Sequence, residues 1–180
     1  TEGTLGIFTS RGILLDEVHY SEKQHHPSLV AIKGVSLEKS NIRKSSLDIN
    51  NWLSASTLSG YATPGVENSQ NRDEELVPPR IWWVDSPVFS KSNPSFPQKM
   101  TLKYTLDVPG TVAKIDILRA DGTFFHRLHS SILLGVSGEI DWDGAFVQSM
   151  ETGHYFFHIT YFDTRGRSEV ALVKMVYVNE

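Results

Sequence analysis

The chain has no cysteine. Disulfides, thiolate metal sites and a cysteine nucleophile are therefore excluded. It also has no apolar run of about 18 residues, the length a membrane-spanning helix needs, so no membrane span is expected. Basic residues are not clustered. The densest group, Lys39 to Lys44, is broken by Ser and Asn, and the net charge is −4. A nucleic-acid surface needs concentrated Lys and Arg, so that partner is not expected. Neither an initiating methionine nor a signal peptide precedes Thr1, which points to a mature product or a fragment of a longer protein.

What is present is enough apolar and aromatic material for two compact cores: 39 % hydrophobic residues, with four tryptophans, in 180 residues. Thr4 to Thr9 is apolar enough for a buried strand, Ser10-Arg11-Gly12 reads as a turn, and Ile13 to Tyr20 as the return strand of a hairpin. Ser21 to Pro27, with His25-His26, is a polar loop, and Ser28 to Lys33 continues as a strand edge. Val35 and Leu37 alternate with Ser36 and Glu38, the period-2 pattern of a half-buried strand. A tryptophan expected to be buried follows at Asn51-Trp52, and Thr63-Pro64-Gly65 is a hard stop. Gln70 to Arg80 is polar, charged and proline-closed, the composition of an extended linker.

Beyond it, Ile81-Trp82-Trp83-Val84 is a short strand. Met100, Leu102, Tyr104, Leu106 and Val108 alternate with polar residues more cleanly than anywhere else. Ala113, Ile115 and Ile117 alternate next, Asp121-Gly122 turns the chain into Thr123 to Leu128, and Glu139 to Asp143 is another strand. Tyr155 to Tyr161 alternates, and Arg165-Gly166 turns it into a last strand from about Val170. About seven short strands with Gly and Pro turns argue a β-sandwich.

In the first half, Gly3-Thr4-Leu5, Gly12 with Asp16 and Tyr20, Gly34-x-Ser36-Leu37-Glu38, Asn51-Trp52 and Thr63-Pro64-Gly65-x-x-Asn68-Ser69 resemble the lamin-tail domain. That resemblance implies an immunoglobulin-like β-sandwich whose first strands would lie upstream of Thr1, leaving an edge that a second chain can pair with. In the second half, Ile115-Asp116-Ile117-Leu118, Asp121-Gly122, Trp142-Asp143-Gly144, Gly153-His154-Tyr155 and Asp163-x-x-Gly166 resemble the FlgD-type immunoglobulin-like domain. Its acidic loop is replaced here by Ser90-Lys91-Ser92-Asn93-Pro94, so no cation site is carried over. The last strand is also similar, more weakly, to the sorting modules of one outer-membrane secretion route.

The expected fold is all-β: two immunoglobulin-like β-sandwich domains, 1–70 (incomplete) and 81–180, joined by a linker at 71–80. The resemblances imply a non-catalytic structural or docking region of a larger secreted or surface-attached bacterial protein, located extracellularly, in the periplasm or on the outer membrane. Its partners would be other domains of that protein or envelope components. The alternative is a carbohydrate- or cell-wall-binding module using Trp82 or Trp83, with Phe89, as an aromatic platform. Adjacent strand residues face opposite sides, so one tryptophan of the pair belongs to the core.

Other candidate chemistry reads as structure. Asp141 and Asp143 would lie roughly 6–7 Å apart on one strand face, near the spacing of glycosidase carboxylates, but Trp142 between them reads as core and Asp143 as a turn residue. His154 and His158 share a face but are separated by about 13 Å, too far for one ion. His126 and His129 are expected on opposite faces. Gly135-Val136-Ser137-Gly138 lacks the final glycine and following helix of a nucleophile elbow and reads as a turn. No cofactor or metal is implied.

Overall fold

The computed structural model describes residues 1–72, 79, 81–144 and 149–179, and the chain is all-β. In the second half, strands β5 (Ile81–Val84), β6 (Val88–Phe89), β7 (Met100–Thr105), β8 (Val112–Arg119), β9 (Phe124–Leu133), β10 (Ser137–Trp142), β11 (Gly153–Phe162) and β12 (Ser168–Tyr177) form two sheets, ordered β10-β7-β5 and β6-β12-β11-β8-β9. The chain leaves the first sheet after β5 and joins the second across a three-residue connection (85–87), where β6 runs parallel to β12.

Period-2 patterning explains why the two sheets share one core. The inward positions of β7 and β10 (Met100, Leu102, Tyr104, Ile140, Trp142) meet those of β8, β11 and β12 (Ile115, Ile117, Phe157, Ile159, Met175, Tyr177), and all are buried. Trp142 lies 5.4 Å from Phe89 and 6.3 Å from Phe157, ring centre to ring centre, at tilted or edge-on angles that aromatic pairs favour. The core reading of Trp142 therefore holds.

The first half is built differently. Strands β1 (Glu2–Phe8) and β2 (Leu14–Ser21) form an antiparallel hairpin. Its turn closes with Thr9 N–H donating to the Ile13 carbonyl at 2.8 Å, and Gly12 supplies the left-handed backbone (φ 78°) that the turn requires. Short strands β3 (Leu37–Lys39) and β4 (Trp52–Ser54) pair separately. The expected strand edge over Ser28 to Lys33 is absent: that segment is a pair of turns.

Burial in this half is inverted. Of its buried residues only Ala55 is apolar; the others are Glu38, Asn41, Ser46, Asn51, Ser54, Ser56 and Gln70. Leu5, Ile7, Phe8, Ile13, Leu14 and Leu15 are instead exposed, between 46 % and 64 %. Thr4 to Thr9 is thus a strand, as its composition suggests, but not a buried one. Likewise it is Glu38, not Leu37, that the alternation of β3 turns inward. Trp52 is half-buried, its indole N–H donating to the Ser46 carbonyl at 2.8 Å.

The expected linker lies for the most part outside the described residues, but its head does not behave as one. Gln70 is fully buried between the two halves. Its amide donates to the carbonyls of Ser54 (3.1 Å) and Leu134 (3.0 Å) and accepts from Gly110 N–H (2.8 Å). Two main-chain bonds add to this, Thr57 N–H to Leu133 O and Val136 N–H to Ser69 O, each 2.9 Å. A Cβ on Gly135 would stand 2.5 Å from the Ser69 carbonyl, so only glycine lets the chains approach this closely. Polarity suggested a linker at Gln70; the amide is polar because it bridges three backbone groups that no solvent reaches.

Candidate functional site

The Trp82-Trp83 pair separates across β5, as strand geometry requires. Trp82 is aligned with Tyr104 on β7, and its half-buried ring packs 5.0 Å from that of Tyr104 and 5.6 Å from that of Tyr161. Its indole N–H is buried without a hydrogen-bond partner among the described residues. Trp82 is core. Phe89, the third aromatic of the expected platform, is fully buried as well. Trp83 is aligned with Lys103 and faces outward, also half-buried.

Around Trp83 the outer face of the β10-β7-β5 sheet is charged. Lys103 bridges Asp85 and Glu139, the latter at 3.2 Å, and both carboxylates hold the ammonium above its usual pKa. The Asp85 carboxyl is held low, first by its hydrogen bond from Lys103 and to a smaller extent by one from Trp83. Asp141 lies on the same face. It accepts from Lys99 Nζ and Thr101 Oγ1, both at 2.6 Å, and these bonds, Lys99 first, lower its pKa. This carboxylate is already engaged by a cation and a hydroxyl. Asp143 is exposed beyond the end of β10, and Ser137 opens that strand opposite Thr105.

Among the described residues no three His, Asp or Glu side chains converge as metal ligands would. His154 and His158 lie on the outward side of β11, alternating with buried Tyr155, Phe157 and Ile159. His126 and His129 depart from expectation. Three register shifts between β8 and β9 break the alternation, and the two histidines are aligned with Ile117 and Ile115, which share one face of β8. The bulges that cause this leave no mark in the histidines themselves.

The motif residues of the first half do meet in space. Glu38, buried on β3, accepts from Ser69 N–H and Ser69 Oγ, both at 2.8 Å, and from Thr63 Oγ1. Asn68 donates to the Lys39 carbonyl at 3.1 Å. One carboxylate thus clamps the 63–69 loop to β3. Asn51 does the same for the 40–45 loop. Its oxygen accepts from Asn41 N–H and Ser40 Oγ, and its nitrogen donates to the carbonyls of Asn41 and Ser45. Buried polar groups are costly unless bonded, and these are bonded throughout. They are cross-links in place of an apolar core.

Between this clamp and the hairpin lies an open groove of about 340 Å³, lined by Leu5, Val18, Tyr20, His25, Val35, Leu37 and Trp52. His25 Nδ1 lies 3.0 Å from Ser54 Oγ, which also accepts from His26 N–H at 2.9 Å. Burial lowers the pKa of both imidazoles, Glu22 partly opposing the effect at His25. The groove escapes a reading of the sequence because its walls come from segments far apart in the chain. The signal that was present is the run of apolar residues on both strands of the hairpin.

Comparison with protein-family models finds no match, and comparison with the curated proteins finds none either.

Proposed function

We propose that the chain is a non-catalytic structural and docking region of a larger protein, secreted or attached to a bacterial surface, built as two immunoglobulin-like β-sandwiches. The observation that carries this is the inverted burial of residues 1–72: polar side chains inside, Leu, Ile and Phe outside. Large apolar side chains left exposed on a folded unit mark a place for something else to sit. The lamin-tail resemblance supports the first sandwich, and the two sheets of residues 81–179 that share one core support the second. Asp141, one of the two carboxylates first considered for catalysis, is spent on Lys99 and Thr101.

A second reading has one observation in its favour. Trp83 stands on an outward sheet face among Lys103, Asp85 and Asp141, the mixture of ring and polar groups that binds a sugar. Binding to intact bacterial envelope and to isolated polysaccharides separates the two. Docking through the hairpin gives envelope binding that Trp83→Ala leaves unchanged. Saturable glycan binding that Trp83→Ala abolishes moves the assignment to the sugar site, and failure to bind any surface refutes docking to the envelope.

A further inference from the structure

The most exposed regular element is β1. Apart from half-buried Gly3, every one of its residues faces solvent. It pairs only with β2, so one edge of its backbone is free among the described residues. A lone two-stranded hairpin is marginally stable in water. Proteins protect such edges with charge, proline or cover. From Gly3 to Phe8, β1 has none of these, whereas β2 carries Asp16 and Glu17.

We propose that this edge is the contact with a second copy of the chain, the two β1 strands pairing antiparallel about Leu5. The inference takes the docking surface from the reading above and adds its occupant. In this register each Leu5 meets its counterpart, each Ile7 lies across from the partner's Gly3, and each Thr4 across from the partner's Gly6. Large side chains thus face glycines. Tyr20, whose ring already lies over Gly3, flanks the incoming isoleucine, and no like charges oppose. Leu5 and Ile7 stand on one face of the hairpin and Phe8 and Leu14 on the other, so pairing through β1 carries exposed apolar side chains across the new junction on both faces.

Light scattering of the full chain from low to high micromolar concentration tests this. The expected mass rises from 20.2 kDa to twice that value. Leu5→Lys should weaken association at least about tenfold, while Val30→Lys, at a fully exposed position away from the hairpin, should not. Amide hydrogen exchange on the unmodified chain gives a readout free of folding effects: the Thr4 to Ile7 amides should slow as concentration rises. A mass of 20.2 kDa throughout, unchanged exchange, or association that Leu5→Lys leaves intact overturns the proposal. A monomer that still binds envelope overturns the dimer alone and leaves docking standing.

Discussion

Replacing Gln70 by alanine tests whether the two halves are pinned by one side chain. The side chain makes three hydrogen bonds to backbone groups of Ser54, Leu134 and Gly110, with no water in reach. Truncation orphans the Gly110 N–H, which costs about 1–3 kcal/mol when buried. The two carbonyls each lose a donor, a smaller loss because carbonyls tolerate partial satisfaction better. Against this, the variant recovers about 1.5–2 kcal/mol of glutamine side-chain entropy. Adding the void left behind, the net expectation is about 2–4 kcal/mol. For a chain of this size that lowers the thermal midpoint by about 5–15 °C. Gln70→Glu should be worse, because a carboxylate oxygen then confronts the Ser54 and Leu134 carbonyls and a charge is buried without a cation. Urea unfolding followed by circular dichroism and tryptophan fluorescence measures both variants. A Gln70→Ala chain within about 0.5 kcal/mol of the parent, or a well-tolerated Gln70→Glu, refutes the pin.

Gly135→Ala drives a Cβ against the Ser69 carbonyl and should cost about 1–3 kcal/mol by forcing the junction apart; denaturant midpoints check it. Tyr104 buries its hydroxyl against Gly138, with the Gly135 backbone also near and no bond of ordinary geometry among the described residues, and burial drives its pKa up. Tyr104→Phe should therefore be neutral or stabilising by up to about 1 kcal/mol, since no partner is lost; a large destabilisation refutes the orphaned hydroxyl. Burial lowers the pKa of His25, His26 and His129. The unfolded chain then binds more protons than the folded one below the ordinary histidine value of about 6.5, so stability falls as pH drops through that value. Urea midpoints on either side of it measure the effect, and equal midpoints refute it.

The all-β class and most strand positions were legible in the sequence, because side chains alternate with period 2 along a strand and the second half obeys that pattern cleanly. Met100 to Thr105 and Tyr155 to Tyr161 could be assigned both a conformation and a buried face from alternation, although the strand expected to reach Val108 stops at Thr105. The assignment of a face failed where the first half breaks the rule that apolar means inside. Leu5 and Ile7 mark a strand correctly, but whether that strand is covered depends on what packs over it, and local sequence does not encode that. Glu38 and Gln70 read as outward-facing and linker residues because burying them is unfavourable unless every polar atom finds a partner. Their partners lie up to 64 residues away, so only the folded chain brings them together. The bulges of β9 and the opposite fates of Trp82 and Trp83 have the same origin. The sequence determined which segments extend and that the two tryptophans must part; tertiary structure decided which of them faces water, where the halves join, and which apolar surface is left open. Conformation follows from neighbours in the chain, whereas burial follows from neighbours in space.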